Sequence, residues 1–165
     1  MGRDEAFTAY VAERRDQLWR AAYLLCGDRH LAEDLVQTTL AKLYVAWRRV
    51  SRADTVDAYV RRMLVNSHID ETRRPWRRER VSRETPDSAV DPALPGEFDD
   101  LWAALRALPP RQRRVVVLRH YWGLSVEETA ADLGVAPGTV KSQTSAALAA
   151  LRGALRPTPA SPGGA

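Results

Sequence analysis

Residues 123–155 read GLSVEETAADLGVAPGTVKSQTSAALAALRGAL, and this stretch decides the fold of the C-terminal half. Ser125 and Glu128 have the spacing of a capping box, which begins a short helix. Gly134 ends that helix, because glycine readily adopts the left-handed conformation of a helix C-terminus. Pro137 suits the first position of another helix, which runs to about the end of the stretch. The pattern predicts two helices joined by a tight turn.

Two helices joined in this way are typical of a helix-turn-helix unit, in which the start of the second helix enters the DNA major groove. Ala130 is small where the helices approach, and Val140 is predicted to fill the space between them. The candidates for contact with base edges and phosphates are the polar residues of the second helix, Thr139, Lys141, Ser142, Gln143 and Ser145. The upstream candidates for contact with the DNA backbone are Arg111, Arg113, Arg114 and Arg119. The competing interpretation is a helical hairpin that binds nothing.

Apolar residues recur at helical spacing through the N-terminal half and predict a bundle of three helices over residues 4–75. Gly27 is placed to end the first helix, and Asp28 can cap the second. The third helix begins near Val56 and stops before Pro75, which cannot continue a helix.

A linker is predicted over residues 76–97, where the periodicity disappears and prolines accumulate. The charge changes sign there, since residues 73–83 carry six arginines against one acid and residues 84–100 carry six acids and no base. Helical signal returns over residues 98–156, and the tail at 157–165 is rich in proline and glycine and is predicted to be disordered. The expected fold is all-α, with two small helical domains joined by a flexible linker.

Composition and charge narrow the classes of function. The formal net charge of +4 and a pI near 9.6 favour a polyanionic partner, and the basic segments on both sides of the acidic break suggest two surfaces that face nucleic acid. No apolar run approaches the ~20 residues that span a bilayer, and no signal peptide is visible, so a cytoplasmic protein without membrane insertion is expected. His30, His68 and His120 lack partners at metal-ligand spacing, and no phosphate loop follows a strand. We therefore expect no enzyme, with no catalytic residue, metal site or cofactor.

Several runs of sequence resemble the extracytoplasmic-function (ECF, group IV) sigma factors of bacterial RNA polymerase, in the sigma-70 superfamily and of the actinobacterial SigE type. In the C-terminal half, the runs that resemble region 4 are residues 108–113, 118–121, 123–130 and 138–142. In the N-terminal half, residues 32–37 with Leu43, Tyr44 and Trp47 resemble region 2.2, and residues 59–70 resemble regions 2.3 and 2.4.

The resemblance implies an alternative sigma factor that binds core RNA polymerase and directs promoter recognition and transcription initiation. The first domain would be region 2, which docks on the β′ clamp and meets the −10 element. The second would be region 4, which meets the β flap and reads the −35 element as duplex. An anti-sigma factor of unknown identity is the implied regulator.

The resemblance also implies roles for single residues. Core polymerase binding is implied for Asp34, Leu35, Gln37, Thr38, Leu43 and Trp47. Contact with −10 DNA is implied for Arg61, Arg62, Asn66, Ser67, Arg73 and Arg74. Contact with −35 DNA is implied for Arg111, Arg119, Thr139, Lys141, Ser142, Gln143 and Ser145. The chain departs from the family pattern at four positions: relatives often carry an acid where Thr38 stands, usually a capping serine at Ala136, and usually arginines at Ala146 and Ala150.

Two other classes of protein compete with this interpretation. A two-component or quorum-type regulator has a similar output domain, binds DNA as a dimer and works without joining polymerase, but the first 75 residues lack the strand–helix alternation of a receiver domain. A protein-interaction module that has lost DNA binding is the other alternative, and Ala146 and Ala150 favour it slightly. Dimerisation with palindromic DNA would favour the regulator, and core binding without promoter recognition would favour the module.

Overall fold

Seven helices make up most of the chain that the computed structural model describes, which is residues 2–74 and 99–155. The helices are α1 (Arg3–Cys26), α2 (Arg29–Val50), α3 (Val56–Thr72), α4 (Asp99–Ala107), α5 (Pro110–Val116), α6 (Val126–Leu133) and α7 (Pro137–Ala154). A π-helical turn, Val117–Tyr121, continues α5. No strand occurs within the two described ranges, and the predicted all-α fold is confirmed. The predicted linker at 76–97 and tail at 157–165 lie outside the described residues.

Local signals set the ends of the helices, as the sequence predicts. α1 ends at Gly27, whose φ of 74° lies in the left-handed region that favours glycine. Asp28 then caps α2, because its Oδ1 accepts a hydrogen bond from the N–H of Leu31 at 2.9 Å. The capping box of α6 is present: the N–H of Glu128 donates to Ser125 Oγ at 3.0 Å, and the N–H of Ser125 donates to Glu128 Oε1 at 3.2 Å.

Helices α1, α2 and α3 form the first domain around a shared apolar core. Leu35, Leu43 and Leu64 are fully buried in it. At the rim of the domain, one carboxylate ties α1 to α3. The Arg14 guanidinium donates to both oxygens of Asp57 at 3.1 and 3.0 Å, and the Tyr10 hydroxyl donates to Oδ1 at 2.6 Å. These bonds fix the register of α1 against α3.

The second domain consists of α4 to α7, with the predicted helix-turn-helix unit formed by α6 and α7. Val140 of α7 is fully buried against Ala130 of α6 and Val115 of α5, which confirms the predicted core of this unit. Further along α7, Ala147 and Leu151 are buried against residues of α4 and α5. α7 is thereby fixed along its inner side, and its other side faces away from the protein.

The two domains pack against each other. Val65 of α3 lies in one apolar cluster with Leu118 and Leu124 of the second domain. Trp102 of α4 stacks on Tyr23 of α1, with ring centroids 4.7 Å apart. The sequence pattern does not predict this contact, because it joins residues that are far apart in the chain.

The start of α7 offers a test of local stability. Ala136 holds the N-cap position with extended backbone angles (φ −72°, ψ 147°) and supplies no side-chain hydrogen bond. A serine there would accept a hydrogen bond from an N–H of the first turn, so we expect Ala136→Ser to raise the free energy of unfolding by ~1 kcal/mol. Urea unfolding of the full chain, followed by circular dichroism, measures this.

The matched control for this variant is Ser125→Ala, which removes the existing cap of α6 and should lower the free energy of unfolding by ~1 kcal/mol. An unchanged or lower value for Ala136→Ser, with the expected decrease in the control, would contradict the prediction.

Candidate nucleic-acid and polymerase interface

The outer face of α7 is not covered by any other described part of the chain. Thr139, Lys141, Ser142 and Ser145 are exposed or half-exposed, and Gln143 is half-buried. The hydroxyl of Ser142 donates to the carbonyl of Thr139 at 3.1 Å, which holds this side chain against the helix. The residues of α7 predicted to contact −35 DNA thus lie together at the accessible start of the helix.

The two upstream arginines predicted to contact −35 DNA lie in different surroundings. Arg111 is exposed in the first turn of α5. Arg119 is partly buried, and its guanidinium donates to the carbonyl of Leu124, at the turn before α6. In this conformation Arg111 is accessible to DNA, whereas Arg119 braces the turn that precedes the helix-turn-helix unit.

Arg113 binds the C-terminal ends of two helices. Its guanidinium donates to the carbonyls of Leu105 and Arg106 at 3.0 Å and of Leu108 at 3.1 Å, at the end of α4. It also donates to the carbonyl of Leu25 at 3.0 Å, near the end of α1. A cation placed there pairs with carbonyls that lack helical partners and complements the negative end of each helix dipole. These bonds direct Arg113 to the protein rather than to the DNA backbone.

The residues predicted to contact −10 DNA lie on and just after α3. Asn66, Arg73 and Arg74 are exposed. Ser67 is buried, and its hydroxyl is 2.9 Å from the ammonium of Lys42, which donates to it. Asn66 and the two arginines therefore remain accessible, while Ser67 fixes Lys42 of the neighbouring helix.

Arg61 and Arg62, the other two residues predicted to contact −10 DNA, bind one carboxylate of the second domain. Arg61 Nε donates to Asp132 Oδ2 at 2.6 Å, and Arg62 Nε donates to Asp132 Oδ1 at 2.8 Å. The Asp132 side chain has no exposed surface, whereas 53% of the Arg62 side chain is exposed. Sequence reasoning missed Asp132. Its position could have indicated a role, because it lies near the C-terminal end of α6, whereas the other acids of that helix, Glu127 and Glu128, lie in the first turn.

The residues of α2 predicted to bind polymerase divide into an exposed and a buried set. The accessible set is Asp34, Gln37 and Thr38, and the buried set is Leu35, Leu43 and Trp47. The buried three shape the domain core, so a partner can touch the accessible three directly. Val45 was not predicted, although its side chain is 82% exposed and it follows Thr38 by seven residues on the same helical face.

His68 of α3 is buried where the two domains meet. It is 5% exposed, and its Nδ1 has no hydrogen-bond partner within residues 2–74 and 99–155. Burial, and then the positive charges of Arg114 and Arg113 on α5, lower the pKa of His68 from 6.5 to about 3. The imidazole is therefore neutral at pH 7.

Neither a metal-binding cluster nor a membrane-crossing helix occurs in the described part of the chain. No group of three or more His, Cys, Asp or Glu residues there could hold a metal ion. None of the described helices is both long and apolar enough to cross a membrane.

Comparison with known proteins matches both halves of the chain to one family. Residues 10–78 match Sigma-70 region 2, and residues 98–151 match Sigma-70, region 4. The chain belongs to the sigma-70 family. It is 42% identical over 154 residues to the RNA polymerase sigma-E factor of Streptomyces coelicolor, covering 92% of this chain and 87% of that protein. It is 35% identical to the ECF RNA polymerase sigma factor SigL of Mycobacterium tuberculosis, covering 87% of this chain and 85% of that one.

Two solved structures have a similar fold. The sigma factor RpoE of Bartonella quintana, solved in complex with the anti-sigma factor NepR, has a TM-score of 0.77 and 28% identity, with 92% of this chain and 97% of that chain covered. CnrH, in complex with the cytosolic domain of CnrY, has a TM-score of 0.62 and 24% identity, with 92% and 88% covered. The chain is thus an ECF-type sigma factor, a member of a family of non-catalytic factors for promoter recognition and transcription initiation.

The buried histidine predicts how stability depends on pH. The folded-state pKa of His68 lies below 6.5, so the unfolded chain takes up a proton that the folded chain does not as the pH falls from 6.5 toward 3. Its contribution to stability is present above pH 6.5 and is lost as the pH falls through that window. We expect the loss from this group to be about 2 kcal/mol between pH 7 and pH 5.

Urea unfolding at the two pH values, with His68→Gln compared with the parent chain, measures this contribution. The variant should lose less stability on acidification than the parent. His120→Gln is the matched control, because it makes the same substitution at an exposed histidine. An equal loss in His68→Gln and the parent would refute the prediction.

Proposed function

We propose that this sigma factor joins core RNA polymerase through the exposed face of α2 and reads two promoter elements with separate regions. Region 2, over residues 4–75, would meet the −10 element, and region 4, over residues 98–156, would read the −35 element as duplex. The observation that carries the proposal is the accessible polar face of α7, held in place by the buried contact of Val140 with Ala130.

The start of α7 has the chemistry needed to read duplex DNA. Thr139, Ser142 and Gln143 offer donors and acceptors to base edges, and such contacts specify sequence in the major groove. Lys141 and Arg111 are exposed cations suited to phosphates, which position the protein without specifying sequence. Region 4 therefore combines both kinds of contact on one side of the domain.

Region 2 meets the −10 element through α3. Asn66 is an exposed amide at the middle of this surface, with Arg73 and Arg74 at its end. Arg61 and Arg62 complete the set once their bonds to region 4 are released. Arginine suits this role, because its guanidinium binds phosphate through two parallel hydrogen bonds.

The contact with core polymerase uses α2. Asp34, Gln37 and Thr38 supply polar contacts to the β′ clamp, and Val45 supplies an exposed apolar one on the same face. An apolar side chain bordered by polar groups is a common arrangement in protein interfaces. Region 4 would contact the β flap.

The factor works in the cytoplasm, where core polymerase and promoter DNA are found, and an anti-sigma factor restrains it. The similar sigma factor RpoE of Bartonella quintana forms a complex with the anti-sigma factor NepR, which supports a partner of this class. Co-purification with the tagged chain would identify this partner.

The proposed polymerase contact predicts that shortening one side chain weakens binding to core polymerase. Gln37→Ala removes an exposed amide from the centre of the α2 face, and we expect it to weaken binding to core polymerase about fivefold. Fluorescence titration of labelled chain with core polymerase measures the change. Gln17→Ala is the matched control, because Gln17 is exposed on α1 and away from that face. If the folded parent chain does not bind core polymerase, the proposed function is wrong.

The proposed −35 contact predicts that one added arginine strengthens DNA binding. Ala146 lies one turn beyond Ser142 on the exposed face of α7, so an arginine there would reach the DNA backbone. We expect Ala146→Arg to tighten binding of the full chain to −35 duplex and to steepen its salt dependence by about one unit of slope. Ala9→Arg, on the exposed side of α1, is the control with the same added charge. Equal slopes for the two variants would show that position 146 lies away from the DNA.

A further inference from the structure

Region 4 covers part of the surface of region 2 that would bind DNA. Arg61 and Arg62 both bind Asp132, and the outer face of α7 stays accessible. We propose that Asp132 holds the free sigma factor in a closed state by occupying, on Arg61 and Arg62, the place of promoter phosphates. This inference rests on the proposed role of the two arginines in contact with −10 DNA.

The position of Asp132 is unfavourable within region 4 alone. It is the second-last residue of α6, where the negative end of the helix dipole disfavours a carboxylate. Its side chain is also fully buried, and a buried charge requires a partner of opposite charge. Among the described residues, Arg61 and Arg62 of region 2 offset both costs. The residue thus fits the contact between the domains better than it fits its own helix.

An apolar contact surrounds this ion pair. Val65 and Ile69 of α3 pack with Leu118, Leu124 and Leu133 of region 4. Leu133 follows Asp132 directly in the chain, so the cluster and the carboxylate meet the same surface of α3. By excluding water, the cluster strengthens the attraction between Asp132 and the two arginines.

A second contact holds the domains at the end of α1. Trp102 lies so close to Gly27 that a Cβ on this glycine would stand 2.9 Å from Trp102 Cζ2. Arg113 of region 4 donates to the carbonyl of Leu25 in the same turn. Region 4 is therefore fixed at two separate places on region 2, which defines one orientation.

In the closed state the DNA-binding face of α7 is accessible, whereas Arg61 and Arg62 are bound to Asp132. The carboxylate of Asp132 and a phosphate group compete for the same guanidinium donors, so −10 contact by Arg61 and Arg62 requires their release from Asp132. The face of α7 needs no such release. Closed chains can therefore bind −35 duplex, and open chains can bind both elements.

The experiment compares closure and DNA binding in the full chain. Small-angle X-ray scattering of Asp132→Asn and of Arg61→Gln should show a radius of gyration larger than the parent's by about 3 Å, against the roughly 15 Å of a compact chain of this length. Glu127→Gln, on an exposed residue in the first turn of the same helix, is the matched control and should leave the radius unchanged. Circular dichroism establishes that each variant keeps its helices. If Asp132→Asn loses them, Arg62→Gln, with its half-exposed side chain, takes its place.

The second measurement is affinity for a −10 DNA fragment. Free Asp132→Asn chain should bind it about tenfold more tightly than the parent, because more chains are open. Polymerase holoenzyme assembled with this variant should bind the promoter as the parent holoenzyme does, since the proposed contact with both promoter elements requires the open state in either chain. Free Arg61→Gln chain should also open, but its affinity for the −10 fragment should not rise, because it lacks one of the two arginines proposed to bind phosphate.

Each result decides a different claim. An unchanged radius of gyration in both folded variants would overturn the closed state held by Asp132. An open Asp132→Asn chain without tighter −10 binding would overturn the competition with phosphate. Undiminished promoter binding by holoenzyme carrying both Arg61→Gln and Arg62→Gln would instead overturn the proposed function of these arginines, and the scattering result would still stand for closure.

Discussion

Burying a carboxylate is costly unless cations or hydrogen-bond donors pair with it, and the side chain of Asp132 is paired across the domain boundary with Arg61 and Arg62. The pairing joins α6 to α3 and, together with the contact at the end of α1, defines which side of region 4 faces region 2. Leu118 and Leu124 also contact Val65, and Trp102 of α4 stacks on Tyr23 near the end of α1. The orientation of α7 follows, because α7 is fixed to α6 through the buried Val140. The accessible face of α7 is thus a consequence of the same contact that covers Arg61 and Arg62.

Positive charge is concentrated at this boundary, and the structure accommodates it in two ways. Arg113 directs its donors to carbonyls at helix ends, where the helix dipoles favour a cation. His68 stays neutral, because burial and the neighbouring Arg113 and Arg114 lower its pKa. A protonated imidazole would add another cation to a boundary where Asp132 already serves two arginines. Burial beside Arg113 and Arg114 therefore favours the neutral form of this histidine.

Most of the helix ends could be predicted from the sequence, and the packing of the domains could not. Gly27, Asp28 and the Ser125–Glu128 capping box act within a few residues of themselves, so their effect is visible in the local pattern. Arg61 and Asp132 are 71 positions apart, and no periodicity links them. Family resemblance also placed Leu35 and Trp47 among the polymerase contacts, and both are buried. Helical periodicity separates such buried positions from exposed ones such as Gln37. The sequence thus predicts a set of candidate residues, whereas the partners of Arg61, Arg62 and Ser67 depend on contacts between residues that are far apart in the chain.

Because an ion pair joins the two domains, an anion that competes for the arginines can separate them. Removing one partner of a buried ion pair is strongly destabilising, because it leaves an unpaired charge. Compared with apolar side chains of similar size, however, the intact pair contributes little net stability, because the cost of removing its charges from water offsets most of their attraction. Apolar side chains at Arg61, Arg62 and Asp132 would therefore close the chain at least as firmly. They would not respond to an anionic competitor, whereas guanidinium groups exchange one oxyanion for another with similar geometry. The closed state can thus be opened by the polyanion that the chain is built to recognise, because new bonds from the arginines to phosphate replace their bonds to Asp132.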